Sequence, residues 1–313
     1  MSFDRLIEKI AETQNPTVVG LDPKLEYVPE FIKAKAFKKH GGNGRNALKA
    51  VAEAILEFNK GLIDAIYAEI PAVKPQIAFY EMLGVEGVRA FYETCEYAKE
   101  RGLYVIADGK RNDIGSTAEG YAAAFLGKVQ IGANEFSPFP TDALTVNAYL
   151  GTDGIIPFIE ACEKYDKGIF VLVKTSNPSS GELQDKLIDN TPVYEIMGKL
   201  CDEWGKKTTG KYGYSAVGAV VGATYPEQIK TLREMLPNTF FLIPGYGAQG
   251  GKAEDIKAAF DARGLGGIVN SSRAVMCAYQ KEKCDENDYA GAALREVKRM
   301  KDELIKITGE IKL

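Results

Sequence analysis

The segment YVIADGKRNDIGSTAEGYAAAF, residues 104–125, carries carboxylates and an ammonium at close spacing. Asp108 and Lys110 stand two residues apart at the end of a strand candidate, so both side chains should leave the same face. Asp113 follows three residues later, where the chain turns toward a helix. Lys74 ends the preceding strand candidate and could reach the same place. Lys74, Asp108, Lys110 and Asp113 would then set four alternating charges in one pocket, an array able to stabilise charge that develops on a bound molecule. The competing reading of the same residues is a surface salt-bridge network.

A second group of residues suits an anion. Residues 244–251 read PGYGAQGG, and glycines let backbone N–H groups approach an anion closely and let a loop change conformation. Taken alone, such a segment is a turn. Further on, Asn270-Ser271-Ser272-Arg273 ends another strand candidate just before a helical pattern, which brings backbone N–H groups and a guanidinium to one place. Arg273 as an ordinary surface charge is the alternative.

Positioning these groups requires a repeating scaffold, and the sequence supplies one. Short apolar runs fall at 17–21, 70–74, 103–108, 143–147, 169–173, 217–222, 240–244 and 267–270. Helical patterns lie between them, at 47–69, 84–102 and 226–236, and a charged helix is expected near 288–308. Runs apolar on both faces mark strands covered on both sides, the habit of parallel sheets. Eight such units predict an α/β fold, a single (β/α)8 TIM barrel over residues 1–313, with insertions near 23–46 and 177–190. An open doubly wound sheet has similar periodicity. Asp22, Lys74, Asp108, Lys110, Asn147, Lys174 and Pro244 favour the barrel: all sit at strand C-terminal ends, which converge on one mouth.

Bulk properties narrow the function classes. A net charge of −4 does not suggest non-specific nucleic-acid binding, so an anionic ligand must be drawn by a local positive site. Five cysteines, odd in number and without a C-x-x-C pair, disfavour a disulfide framework or zinc ribbon and suit a reducing compartment. No apolar run approaches the ~18 residues of a membrane span, and the first residues form an amphipathic pattern without a secretory apolar region. A cytoplasmic protein without membrane association is expected. His40 is the one histidine, which excludes a two-histidine zinc site, and KAKAFKKHGGNGR around it reads as an exposed loop with a solvated imidazole.

The motif D-x-K-x-x-D-I at 108–114 is similar to the signature of the orotidine 5'-phosphate decarboxylase family. The resemblance extends through VVGLDP at 18–23, VKPQIAFYE at 73–81, TVNAYLG at 145–151, FVLVKTSNP at 170–178, IPGYGAQGG at 243–251 and NSSRAV at 270–275. Length and insertions resemble the longer branch of that family. The resemblance implies a cofactor-free, metal-free enzyme that converts orotidine monophosphate to UMP. Loss of CO2 leaves a carbanion at C6, and Lys110 would stabilise it and supply the proton. Asp108 would lie near the departing carboxylate. Lys74 and Asp113 would hold the array and bond ribose hydroxyls, and Asp22 would contact the ribose. Ser272 and Arg273 would bind phosphate, Gln249 would bridge the phosphate and the base-binding loop, and Ser176 would read the pyrimidine. The resemblance also implies a homodimer with shared sites, in which Asp113 and Thr117 enter the neighbouring subunit's site.

Two other enzymes fit parts of the pattern. KTS at 174–176 would suit a Schiff-base aldolase with Lys174 as nucleophile. That reading leaves Asp108, Lys110 and Asp113 without a role. A magnesium-dependent sugar-phosphate decarboxylase shares the D-x-K motif but carries an acidic metal ligand where this chain has Lys74, which repels a cation. A non-catalytic phosphate-ligand binder on a barrel scaffold is the third alternative.

Overall fold

The computed structural model describes residues 2–246 and 253–313. Eight parallel strands close into a barrel: β1 (Thr17–Leu21), β2 (Ala72–Pro75), β3 (Tyr104–Arg111), β4 (Ala143–Val146), β5 (Gly168–Lys174), β6 (Val217–Val221), β7 (Phe241–Ile243) and β8 (Gly267–Ser271). They follow one another around the ring, and β8 pairs with β1. The architecture is the (β/α)8 barrel expected from the spacing of apolar runs.

Period-two alternation explains why those runs are apolar on both faces. Val18, Ala72, Ile106, Ala143, Phe170, Val220, Leu242 and Ile268, one from each strand, pack together in one buried cluster. Their neighbours, such as Val19, Val73, Val105 and Leu144, belong to a second cluster shared with the surrounding helices. Helix α1 (Ser2–Thr13) joins the first cluster: Phe3, Leu6, Ile7 and Ile10 are all buried there. The Phe3 ring lies 4.7 Å from that of Phe170 and 5.7 Å from that of Phe240. The amphipathic N-terminal pattern therefore marks a helix packed on the barrel's own core. Beside it, buried Asp142 accepts from Arg5, Lys99 and the Val105 N–H, which fixes the starts of β3 and β4.

Some expectations need correction. β2 begins at Ala72 instead of residue 70, because Pro71 has no N–H for the ladder. The stretch around His40 is largely helical: α2 (Glu30–His40) packs on α3 (Arg45–Ile66), and His40 contacts Glu53 with its side chain only 11% exposed. The segment after β5 contains a 3-10 turn (Pro178–Glu182) and a small hairpin of Leu187–Ile188 with Thr191–Pro192. A further hairpin, Val129–Ile131 with Asn134–Phe136, follows helix α4 (Gly115–Phe125) and was not foreseen from the sequence.

Candidate active site

The inward parity of the strands builds the site. Two residues beyond Ala72 is Lys74, two beyond Ile106 is Asp108, two beyond Ala143 is Thr145, and two beyond Ile268 is Asn270. Ala72, Ile106, Ala143 and Ile268 fill the barrel, and the residues above them line its mouth. Lys74 Nζ donates to Asp108 Oδ2 at 2.7 Å, and Lys110 Nζ donates to Asp108 Oδ1 at 2.7 Å. Lys74 and Asp108 are buried, whereas 46% of the Lys110 side chain is exposed to the mouth.

Lys110 reaches Asp108 by a route that alternation does not supply. Ala107 pairs with Leu144 and Arg111 with Val146, so three residues of β3 stand opposite one residue of β4. Lys110 takes a left-handed backbone conformation, φ +45°. For a non-glycine residue that conformation costs about 1–2 kcal/mol. The expectation that Asp108 and Lys110 share a face of a regular strand is therefore replaced by a bulge. The bulge bends the strand end so that the Lys110 ammonium stays level with the Asp108 carboxylate.

The electrostatics follow from burial and pairing. Burial disfavours the Asp108 carboxylate, but the Lys74 and Lys110 ammoniums outweigh it and hold the group well below the usual carboxylate range. Burial also works against the Lys74 ammonium, but Asp108 and Asp22 outweigh that effect and raise it above the ordinary lysine value. Asp108 and Lys74 are therefore both charged at neutral pH.

Two lobes meet at this array. One, of about 420 Å³, is lined by Asp22, Tyr27, Phe79, Gly245, Tyr246, Asn270, Ser272 and Arg273. The other, of about 400 Å³, is lined by Lys110, Thr145, Leu172, Thr175, Ser176, Asn177, Gln184, Val220 and Leu242. Lys74, Asp108 and Pro244 border both. In the first lobe, Asp22 Oδ1 and Asn270 Oδ1 are buried acceptors with no hydrogen-bond partner among the described residues, an arrangement that suits ligand hydroxyl donors. Arg273 begins a helix of one turn, Arg273–Met276, shorter than the sequence pattern suggests.

The model of the orotidine 5'-phosphate decarboxylase / HUMPS family matches residues 18–284. An orotidine 5'-phosphate decarboxylase from Caldicellulosiruptor bescii is 46% identical over 277 residues, covering 88% of this chain and 90% of its own length. The chain belongs to the orotidine 5'-phosphate decarboxylase family. Another relative of that name, from Rhodopirellula baltica, is 44% identical over 299 residues, covering 94% of this chain and 96% of its own. The solved structure of Leishmania donovani OMP decarboxylase has a TM-score of 0.68 and 29% identity, covering 96% of this chain and 99% of that one.

For this member of the family, the other expected residues divide clearly. Ser176 lines the second lobe, and Asp22, Ser272 and Arg273 line the first. Asp113 lines neither lobe; it accepts from the backbone N–H of Ile114 at 2.8 Å. Three of the four alternating charges are thus brought together within one chain. Thr117 is exposed on the first turn of α4. Gln249 lies outside the described residues. Lys174, fully buried, pairs with Asp185 at 2.7 Å, donates to Ser180 at 3.2 Å and lies 4.3 Å from the Tyr225 ring centroid. It borders neither lobe and ties the end of β5 to the segment that follows. Thr145 and Gln184 line the second lobe and were missed. Inward parity on β4 could have found Thr145, whereas Gln184 lies in an irregular segment with no periodic signal.

Proposed function

We propose that the chain converts orotidine 5'-monophosphate to UMP and CO2, a step of de novo pyrimidine synthesis, without metal or cofactor. The observation that carries this reading is the Lys74–Asp108–Lys110 array at the junction of two lobes. One lobe offers a guanidinium, and acceptors unpaired among the described residues, for a phosphate and a ribose. The other offers apolar side chains with a few polar groups, suited to a base.

In this reading the C6–carboxylate bond breaks and its electron pair stays on C6. Lys110 stabilises that charge and then transfers a proton to C6, becoming neutral. Asp108 lies beside the departing carboxylate in this reading, so like-charge repulsion is relieved as CO2 leaves. Lys74 holds Asp108 from the opposite side. Asp22 accepts from the ribose, Ser272 and Arg273 bind phosphate, Ser176 reads the base, and Gln249 has the role of bridging the phosphate and the base-binding loop.

Asp113 and Thr117 serve the neighbouring subunit in a homodimer with shared sites. Thr117 is exposed and Asp113 is half-buried, and neither lines the chain's own lobes, which supports this. So does the apolar surface on the loops after β3 and β4, where Ile114 is 52% exposed, Leu150 47% and Ile156 43%. These loops adjoin, because a Cβ on Gly154 would stand 3.1 Å from the Asp113 carbonyl oxygen. All five cysteines are free, which suits the reducing cytosol; among the described residues no helix is long and apolar enough to cross a membrane.

The test is direct: purified protein is mixed with orotidine monophosphate in EDTA and the substrate's absorbance is followed. Turnover unaffected by the chelator is expected. Turnover that vanishes in EDTA and returns with magnesium would overturn the metal-free mechanism, and no turnover under either condition would overturn the activity.

A further inference from the structure

Thr145 is the residue of β4 that stands between the two ladder pairs Ala107–Leu144 and Arg111–Val146, opposite the bulge formed by residues 108–110. Its side chain is 1% exposed. The bulge takes the Lys110 N–H out of the ladder, and a buried N–H needs an acceptor. Thr145 Oγ1 provides it at 3.0 Å. The same hydroxyl donates to Asp108 Oδ1 at 2.9 Å. A hydroxyl has a single proton, and with its acceptor side engaged by Lys110 that proton points at Asp108.

We infer that Thr145 is a positioning residue: through these two hydrogen bonds its hydroxyl fixes the bulge and so places the Lys110 ammonium against Asp108. The inference rests on the decarboxylation proposed above. Lys74 pins the Asp108 carboxylate through Oδ2, while Thr145 and Lys110 meet it at Oδ1. The carboxylate is held from both sides and cannot turn about its own axis. Thr145 also holds the main chain of Lys110 in its left-handed conformation, which a lysine would otherwise leave at a gain. Valine has nearly the same shape and neither hydrogen bond. In Thr145→Val the bulge loses its acceptor and the ammonium samples positions away from C6. The assigned phosphate and base contacts, Arg273 and Ser176, come from other strands, and valine keeps the shape that Thr145 gives the wall of the second lobe.

The experiment compares Thr145→Val, Thr145→Ser and wild type for kcat, KM and UMP affinity, with thermal unfolding measured in parallel. Misplacing a reacting group by about 1 Å costs on the order of 100-fold in rate, so a loss of about 10- to 100-fold in kcat is expected for the valine variant. KM and UMP affinity should change less than about threefold, since ground-state binding is spared. Serine keeps the hydroxyl and should restore most of kcat. Wild-type kcat in the valine variant would overturn the inference, and so would a serine variant as impaired as the valine one. Should valine prevent folding, Thr145→Ala removes the same hydroxyl without added bulk, and the same comparison with serine decides. Absence of decarboxylation in the wild type would instead remove the parent reading.

Discussion

Lys74 and Asp108 form a buried pair, and removing both charges should cost less than the two single removals added together. Lys74→Met keeps most of the stem but deletes the ammonium that donates to Asp108 Oδ2 at 2.7 Å. Breaking a buried pair on one side typically costs ~3–5 kcal/mol, because a charge is left without compensation. Here the cost is reduced, since Lys110 and Thr145 still hold Oδ1. What remains is one orphaned carboxylate oxygen, worth about 1.5–3 kcal/mol by the usual strength of hydrogen bonds to charged groups. With an unfolding entropy of about 2.1 cal/mol/K per residue, the 313 residues give ~0.66 kcal/mol/K, so a loss of ~2.5 kcal/mol lowers Tm by about 4 °C. Asp108→Asn should cost a similar amount by leaving the Lys74 ammonium against a neutral amide. The double variant removes both charges, so its loss should fall short of the sum by about 1.5–3 kcal/mol. The assay is urea unfolding of the four proteins at pH 7. Additive losses within about 0.5 kcal/mol would refute the claim that the two charges hold each other in the barrel.

Other substitutions separate the proposed roles. Lys110→Ala should abolish nearly all decarboxylation while UMP still binds, because the interaction it removes belongs mainly to the transition state; a variant retaining about a tenth of kcat would sink the proton-donor role. Arg273→Ala should raise KM strongly for the nucleotide and much less for a substrate lacking phosphate, and equal losses for both would place Arg273 elsewhere. Asp113→Ala and Lys110→Ala should each be nearly inactive but recover when subunits exchange, with up to about half of the heterodimer's sites intact by two-fold symmetry. Exchange demonstrated by mass without returning activity would mean that Asp113 acts within its own chain.

The barrel was legible because its strands carry two independent constraints, a core inside and helices outside. That produces apolar runs such as Thr17–Leu21 in which neither face is polar. The same parity made the mouth legible: a charged residue two steps above a core residue, as Lys74 is above Ala72, has only one direction to face. The hairpin Val129–Ile131 with Asn134–Phe136 obeyed no such rule. Its apolar residues are exposed, Ile131 by 62% and Phe136 by 51%, so no burial period marks them. His40 misled for another reason, since a polar composition without a clear apolar face hid a helix that buries only Ile32 and Ala36 and whose last residue contacts Glu53. Lys174 shares the inward parity of Phe170, yet the ladder between β5 and β6 shifts between Val220 and Val221, and the ammonium pairs with Asp185 instead of entering the mouth.

The bulge at Lys110 shows where sequence logic and site geometry part. In a regular strand, Lys110 would leave the sheet about 6.6 Å beyond Asp108, at a rise of about 3.3 Å per residue. Its ammonium would then belong to the next layer up. The bulge removes that offset, at about 1–2 kcal/mol for a left-handed lysine. Two contacts oppose the cost: the ion pair with Asp108 and the Thr145 hydroxyl that accepts from the displaced N–H. The second is unavailable to an isolated strand end, since it needs a neighbouring strand, and the first survives burial of the Asp108 carboxylate in the barrel because Lys74 pairs with it from the other side. The conformation of Lys110 is thus a property of three strands together, β2, β3 and β4. A reading of 108–110 alone finds the right residues and the wrong backbone.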